Sequence, residues 1–279
     1  MTIFGLYGRN DGALPIAALI AMLGTLGYDA SGVRSSVARL KAKGFLQSER
    51  EDRVAKYRVS ETATGVFREG DQRIFDPEPR SWSSMWVLAV FSVPETMRNR
   101  RYQLRTELSK IGFGCVSSGT WIAPAHVLEQ AKARLTRRGL MQFVDLFLSD
   151  HVSAGTTKEK VAVWWDLEYL DGQYQDFLFL YGAEGQRWAA LSKGETAQAS
   201  DVTTVEDLIR DAFRCYVPML TMWRQFPYRD PHLPPDYLPQ SWHGPAAWRS
   251  FTAIHTAAAP LAEAYARNVI GHATLGSSS

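Results

Sequence analysis

The pattern of apolar and polar positions in the first part of the chain predicts two consecutive helices. Residues 12–27, GALPIAALIAMLGTLG, form a short apolar run that ends in glycines, which is typical of a helix with a glycine stop. Residues 29–44 predict a second helix, with Asp29 or Ser31 as its N-cap and Gly44 as its stop. Only a short turn separates the two predicted helices.

The second of these helices has two different faces. Val33, Val37 and Leu40 recur at i, i+4 and i+7 and form an apolar stripe. The opposite side carries small or basic residues, namely Ser35, Ala38, Arg39 and Ala42, flanked by Arg34 and Lys41. A helix about 20 Å long enters the DNA major groove only when its outward side chains are small or form hydrogen bonds. This face is therefore a candidate for base recognition.

A hairpin is predicted directly after the second helix. Residues 45–60, FLQSEREDRVAKYRVS, contain two strand-like runs around Glu51 and Asp52, and basic residues lie along one face of the second run. Helix, turn, amphipathic helix and basic hairpin are the order of a winged helix-turn-helix, which we predict for residues 1–75. The alternative is that the basic helix and hairpin form an ordinary solvated surface. The predicted DNA-contact residues are Ser31, Arg34, Ser35, Arg39, Lys41, Lys43, Arg53, Lys56 and Arg58.

The centre of the chain predicts a separate domain after a linker. Residues 76–84 contain two prolines and three serines, which indicates a linker. Residues 85–150 then alternate between apolar runs of strand length and helical stripes in the order βαββαβ. This order predicts a ferredoxin-like domain.

The glycine-rich segment at residues 112–124, GFGCVSSGTWIAP, raises the question of phosphate binding. A dinucleotide-binding loop requires a glycine where this chain has Ser117, and a P-loop requires a Gly-Lys-Ser/Thr ending that is absent. We therefore expect the glycines to serve a helix end at Gly112 and a hairpin turn at Ser118-Gly119.

The last third of the chain is predicted to be mostly helical, which places the whole chain in the α+β class. A short strand, VAVWW, is predicted at residues 161–165. Helical patterns follow at residues 166–181, 201–226 and 245–269, and the C-terminal helical domain is predicted to span residues 156–272.

A proline-rich corner, FPYRDPHLPPDYLPQSWHGP, joins the last two predicted helices at residues 226–245. Because each proline fixes φ, the corner holds aromatic rings rigidly among cations, an arrangement that suits an aromatic or anionic small molecule. The alternative is an aromatic-packed corner with a structural role only. The predicted ligand residues are Arg224, Tyr228, Arg229, Trp242 and His243.

Composition and charge narrow the function classes. No apolar run approaches the roughly 20 residues that cross a bilayer, and the start lacks an export leader, so we expect no membrane contact. Cys115 and Cys215 have no CxxC partner, which indicates free thiols in the cytoplasm. The net charge is only +2, but residues 31–60 contain eight basic and three acidic residues. Local clustering, rather than total charge, therefore indicates a polyanionic partner.

No arrangement of residues in the sequence indicates catalysis. A metal-dependent nuclease needs carboxylates that converge on a divalent cation. The first central strand ends instead in Phe91, Ser92 and Val93, and Asp150 stands alone after the last strand. No GxSxG or HExxH motif occurs, and the six histidines are scattered. We expect no enzyme, cofactor or metal site, with a nuclease and a pure protein-interaction module as the alternatives.

Four segments resemble, in the same order along the chain, the PaaX-type repressors of phenylacetate catabolism. They are VRSSVARLKAKGFL, GFGCVSSGTWIAP, WDLEYL and RQFPYRDPHLPPDYLPQSWHG, and together they span residues 33–244. The resemblance implies an N-terminal winged helix-turn-helix, a central domain similar to the CRISPR-associated Cas2 fold and a helical C-terminal domain. It places the recognition helix at residues 31–43, with Arg34, Ser35 and Arg39 as the main contacts.

The resemblance also implies a mode of action. PaaX-type proteins are dimeric repressors that leave DNA when they bind an acyl-CoA, phenylacetyl-CoA in the best-known members. A two-fold homodimer favours an inverted repeat in double-stranded DNA, with half-sites about 34 Å or a multiple of that distance apart. We therefore expect a DNA-binding regulator of an aromatic-acid or acyl-CoA catabolic pathway.

Overall fold

The computed structural model of the protein describes residues 1–9, 12–51, 54–75, 85–150, 157–195 and 204–275. The predicted contact Arg53 and the predicted linker at residues 76–84 lie outside these residues. The chain divides into two compact units that do not follow chain order. Unit 1 comprises residues Met1–Pro77, Phe177–Trp223 and Ala246–Ser279, and unit 2 comprises residues Glu78–Asp176 and Arg224–Pro245.

The N-terminal part of unit 1 contains the predicted helices and hairpin. Its elements are α1 (Thr2–Tyr7), β1 (Leu14–Pro15), α2 (Ile16–Thr25), α3 (Ala30–Ala42), β2 (Leu46–Glu51), β3 (Val54–Val59) and α4 (Glu61–Phe75). The three strands form an antiparallel sheet in the order β1-β3-β2. Helix α4 was not predicted from the sequence.

The C-terminal helices of unit 1 complete the core of the N-terminal elements. They are the later part of α8 (Leu167–Ser192), α9 (Val205–Trp223) and α11 (Gly244–Leu275). The ring of Tyr7 in α1 stacks on Phe213 in α9 with centroids 6.0 Å apart. The hydroxyls of Thr25 and Tyr265 share a 2.7 Å hydrogen bond. The first and last segments of the chain therefore share one core.

Unit 2 contains the predicted βαββαβ order. Its elements are β4 (Trp86–Phe91), α5 (Arg98–Ile111), β5 (Gly114–Ser117), β6 (Thr120–Pro124), α6 (Leu128–Arg137) and β7 (Val144–Ser149). The sheet has the order β5-β6-β4-β7, and every neighbouring pair is antiparallel. Gly112 ends α5 with a left-handed φ of 99°. The expectation that this glycine serves backbone geometry is confirmed.

The two faces of the unit 2 sheet are covered by different layers. Val87 and Ala89 of β4 share one buried core with α5 and α6. Trp86, from the same strand, packs on the other face with Leu233 of the proline-rich corner, which includes the short helix α10 (Phe226–Arg229). Alternate residues of β4 thus face two cores, which explains its continuous apolar sequence.

The strand predicted at VAVWW is wrong, because this segment belongs to helix α7 (Thr157–Trp165). Val161, Trp164 and Trp165 lie at i, i+3 and i+4 and all pack on the second core, whereas Val163 is 79% exposed. This is helical spacing. The β-branched and aromatic composition of the segment favoured a strand, and packing against the sheet overrode that preference.

Gly114 provides a test of this packing. A Cβ at this position would lie 2.7 Å from the Trp165 ring and 2.8 Å from the backbone oxygen of Trp164. We expect Gly114→Ala to lower the free energy of unfolding by about 1–3 kcal/mol, because the backbone cannot move away cheaply. Urea denaturation followed by tryptophan fluorescence measures this change.

Gly172 in α8 is the matched control for this substitution. No atom lies within 4 Å of the position of its Cβ, so Gly172→Ala should stabilise the helix by about 0.5–1 kcal/mol. Equal stabilities for Gly114→Ala and the unaltered protein would show that α7 does not pack on β5.

Candidate nucleic-acid interface

Helix α3 begins at a well-formed N-cap. Asp29 is the cap residue, and its Oδ1 accepts a 2.8 Å hydrogen bond from the backbone N–H of Gly32. This bond, together with one from the side chain of Ser31, lowers the pKa of Asp29. Asp29 and Ser31 were both candidate caps from the sequence, and the structure selects Asp29. The predicted DNA contact Ser31 lies at this cap.

The apolar stripe of α3 faces the protein and the opposite side faces solvent. Val33 and Val37 are 3% and 5% exposed. Arg39 is exposed and donates a 3.1 Å hydrogen bond from Nη2 to Ser36 Oγ. The exposed residues of the helix and its C-cap include Arg34, Ser35, Ala38, Arg39, Lys41, Ala42 and Lys43. The outward side therefore carries four cations and otherwise only small side chains.

The hairpin that follows α3 carries a cross-strand ion pair. The Nε atom of Arg58 on β3 lies 2.7 Å from Glu49 Oε1 on β2. The same nitrogen donates a hydrogen bond to Gln47 Oε1 at 3.2 Å. Lys56 lies directly opposite Glu49 in the strand register and is half-buried. Glu49 thus reduces the positive potential at Lys56 and Arg58, the two predicted DNA contacts on this strand.

Ser60 joins the end of α3 to the start of α4. Its hydroxyl donates a 2.7 Å hydrogen bond to the backbone oxygen of Gly44, and the backbone N–H of Ala63 donates to the same hydroxyl at 3.3 Å. Ser60 is therefore a buried N-cap that fixes the orientation of α3 and the hairpin. This role of Ser60 was not predicted from the sequence, although a serine followed by an acidic first turn is an ordinary N-cap pattern.

Polar groups of the proline-rich corner form hydrogen bonds with other residues of unit 2. The backbone N–H of His243 donates to Asp171 Oδ1 at 2.8 Å, and its ring Nδ1 lies 2.9 Å from Asp171 Oδ2. Arg229 donates from Nη1 to Gln173 Oε1 at 2.8 Å. Two of the predicted ligand residues are thus brought to the first turns of α8.

Aromatic packing surrounds the rest of this corner. Tyr174 donates to Asp230 Oδ2 at 2.6 Å, and burial together with the Asp230 charge raises the pKa of Tyr174. Trp242 lies edge-on to Tyr174 with centroids 5.5 Å apart. The other two predicted ligand residues, Arg224 and Tyr228, are half-buried.

A cavity of about 370 Å³ lies in unit 1, away from all the predicted ligand residues. Its walls include Tyr7 of α1, Tyr216 of α9 and His255 of α11. The His255 ring stacks on Phe75, with centroids 4.8 Å apart, and its Nδ1 lies 2.9 Å from the Tyr216 hydroxyl. Burial lowers the pKa of His255.

The described residues also contain information on metal binding, membrane spans and cysteine chemistry. Within them, no group of three or more histidine, cysteine, aspartate or glutamate side chains could hold a metal ion. No helix in the same ranges is long and apolar enough to cross a membrane. Both cysteines are free thiols, and burial raises the pKa of Cys215 to about 12.

Comparison with known proteins gives three matches to one family. Residues 1–63 match the family described as PaaX-like protein, residues 79–161 match the PaaX protein central Cas2-like domain, and residues 165–268 match the PaaX-like protein C-terminal domain. The central domain of unit 2 is accordingly Cas2-like.

Two individual proteins are similar over nearly the whole chain. The transcriptional repressor PaaX of Escherichia coli is 24% identical over 270 residues, which cover 94% of this chain and 81% of that protein. The structure of the uncharacterized protein Rv0674 from Mycobacterium tuberculosis has a TM-score of 0.55 at 20% identity, covering 94% of this chain and 96% of that one. The second likeness concerns the fold alone.

We expect the stability of unit 1 to depend on pH through His255, which lies in its core. Because burial lowers its pKa, the unfolded chain binds this proton more tightly than the folded chain. The stabilising contribution of neutral His255 is present above the ordinary pKa of about 6.5 and is lost as the pH falls from there toward the folded value. We expect His255→Gln to reduce the loss of stability between about pH 7 and about pH 5.

Denaturation curves at several pH values measure this effect. The exposed His272, near the end of α11, serves as control, and His272→Gln should leave the profile unchanged. A profile for His255→Gln that is as steep as that of the unaltered protein would contradict the burial of a neutral imidazole.

Proposed function

Because the chain belongs to the PaaX-like family, we propose that it is a DNA-binding transcriptional repressor whose residues 1–75 form a winged helix-turn-helix. Membership makes it homologous to a transcriptional repressor. We further infer that helix α3 contacts the bases of its DNA site and that a small-molecule effector releases the protein from DNA.

The exposed side of α3 carries this proposal. Its cations flank a strip of serine and alanine side chains that is narrow enough to approach base edges. Arginine binds the O6 and N7 atoms of guanine through two parallel hydrogen bonds, so Arg34 and Arg39 are the proposed base contacts. Ser35 lies between them on the same exposed side and can donate or accept a hydrogen bond.

The β2–β3 hairpin is the proposed wing. Lys56 and Arg58 lie on its second strand, and cations on a wing contact phosphates rather than bases. Lys41 and Lys43 at the end of α3 extend this phosphate-binding surface. The ion pair between Arg58 and Glu49 must open or shift when Arg58 binds a phosphate.

A nuclease is the less favoured alternative. Cleavage needs carboxylates that converge on a divalent cation. Strand β4 ends at Phe91 and is followed by Ser92, and the central domain shows no metal-binding cluster among its described residues.

We further propose that the protein acts as a homodimer on an inverted repeat and responds to phenylacetyl-CoA or another acyl-CoA of an aromatic-acid or acyl-CoA catabolic pathway. An acyl-CoA offers phosphates to arginine and an adenine ring to aromatic side chains. In the proline-rich corner Arg229 is exposed and Trp242 is half-buried, so these two residues, with Arg224, Tyr228 and His243, are the proposed effector contacts.

Substitution of the α3 arginines tests the DNA-reading proposal. Arg34→Ala or Arg39→Ala should weaken operator binding by about 1–3 kcal/mol and leave binding to random duplex nearly unchanged, because a lost base contact affects only the specific complex. Lys56→Ala should instead weaken binding to both duplexes equally. Fluorescence anisotropy titrations on the two duplexes at one salt concentration measure these effects. Equal losses on both duplexes for the arginine variants would show that α3 does not read bases.

A ligand screen tests the effector proposal. Binding to the folded state alone raises the unfolding temperature, so an acyl-CoA effector should produce a concentration-dependent thermal shift. Arg229→Gln should reduce this shift, whereas Arg267→Gln on α11 should not. A panel of acyl-CoAs, including phenylacetyl-CoA, that produces no shift would remove this part of the proposal.

A further inference from the structure

The two helices of the Cas2-like domain carry more positive charge than the proposed DNA-reading segment. Residues 95–138 contain nine basic and three acidic residues, whereas the whole chain has a net charge of only +2. The nine are Arg98, Arg100, Arg101, Arg105, Lys110, Lys132, Arg134, Arg137 and Arg138. The function proposed above uses none of them.

The fold exposes most of these cations on the two helices that cover one face of the sheet. Leu104 and Leu108 of α5 and Ala131 and Leu135 of α6 are buried in the same core, against one face of the sheet. The opposite sides of both helices therefore face solvent together. We name the solvent-exposed surface of these two helices the α5/α6 face. Its exposed cations are Arg98, Arg100, Arg105, Lys110, Lys132, Arg137 and Arg138, and Arg100 lies on a different side of α5 from Arg98 and Arg105.

A single buried carboxylate anchors one end of this face without neutralising it. Glu107 Oε2 lies 2.6 Å from Arg134 Nε and 3.8 Å from Arg138 Nε, and its Oε1 lies 3.1 Å from Lys110 Nζ. Burial would raise the pKa of Glu107, but hydrogen bonds from Arg134 and Lys110 outweigh it, and the pKa is lowered. One negative charge thus holds three cations.

The other acidic residues of the two helical segments are already engaged. Glu95 Oε2 lies 3.0 Å from Arg101 Nη1, and Arg101 Nη2 also donates to the Val93 oxygen at 2.6 Å. Glu129 Oε1 lies 2.8 Å from Lys132 Nζ. Asp145 on β7 lies between Val144 and Leu146, both of which contact the core beneath the helices, so it points to the other side of the sheet.

Uncharged hydrogen-bond donors lie among the cations. Tyr102 is 74% exposed, and Asn99, Gln103 and Ser109 are exposed on the same helix. These residue types, together with arginine and lysine, are those that contact the phosphates and sugars of DNA. Arg98 and Arg105 lie seven residues apart on the same side of α5, about 10 Å along its axis.

We propose that the α5/α6 face binds the phosphate backbone of duplex DNA without reading its sequence, as a second DNA contact surface of the protein. Duplex DNA carries one negative charge per about 1.7 Å of its axis, a density that matches a surface of many cations and few acids. The inference rests on the proposed function only in that DNA is the ligand, because it does not require α3 to read bases.

Neutralisation of the helix α5 arginines tests this proposal in the full-length protein. The variant Arg98→Gln, Arg100→Gln, Arg105→Gln should bind random-sequence duplex less tightly. The slope of log Kobs against log salt concentration should fall in magnitude by about 2 to 3, because each phosphate contact contributes about 0.9. A second variant, Arg137→Gln with Arg138→Gln, should lower the slope by about 1 to 2 and covers the case in which the first does not fold.

The matched control removes three exposed arginines from unit 1. Arg210, Arg249 and Arg267 lie on α9 and α11, and their replacement by glutamine changes the net charge equally and should leave the slope unchanged. Replacing the three α5 arginines by lysine should also retain it. The proposal would be overturned if the α5 and α6 glutamine variants both had the same salt slope as the unaltered protein. It would also be overturned if these two variants lost binding to polyglutamate but not to DNA, because that result would indicate an acidic protein partner.

These outcomes are separable from failure of the proposed operator recognition. Binding to a random duplex does not depend on base contacts, so Arg34→Ala should lower affinity for the operator only. The α5 variant should lower affinity for every duplex, because phosphates are present in all of them. An α5 variant that loses operator affinity only would contradict a backbone contact.

Discussion

The burial of two valines sets the orientation on which the proposed function depends. Val33 and Val37 fix the rotation of α3 about its axis, and successive residues of a helix lie about 100° apart. Rotation by a single residue would bury Arg34, which costs several kcal/mol because a desolvated cation needs a partner. The same apolar contact that anchors α3 therefore presents its cations to solvent.

The C-terminal helices contribute to this orientation through the core of unit 1. α1 and α2 are fixed to α9 and α11 by the Tyr7–Phe213 stack and by the hydrogen bond between Thr25 and Tyr265. Ser60 fixes the opposite end of α3 through Gly44. A shift of α9 or α11 by even one ångström would move the surface on which α2, and with it α3, is held, because close-packed cores transmit displacement.

Local patterns in the sequence were sufficient to predict α3, the hairpin and the Cas2-like order of strands and helices. Each of these elements has a period and a cap or glycine stop within its own residues, such as Asp29 and Gly112. The helix α7 was missed because its valines and tryptophans favour a strand locally, whereas the packing of Val161, Trp164 and Trp165 with Leu233 involves residues far away in the sequence. The pairing of Arg58 with Glu49 depends on strand register, and no pattern within one strand reports it. The common core of the first and last segments likewise arises from contacts between residues about two hundred positions apart.

The order of segments in unit 1 has a consequence for how the protein matures on the ribosome. Residues 1–77 emerge first, yet the helices that complete their core, α9 and α11, emerge last. At about 5–20 residues per second, the nascent N-terminal segment waits roughly ten to forty seconds with part of its apolar surface uncovered. Chains that end before α11 would therefore lack the completed core behind α3, the proposed DNA-reading helix, and we expect such partial products to compete poorly for the operator.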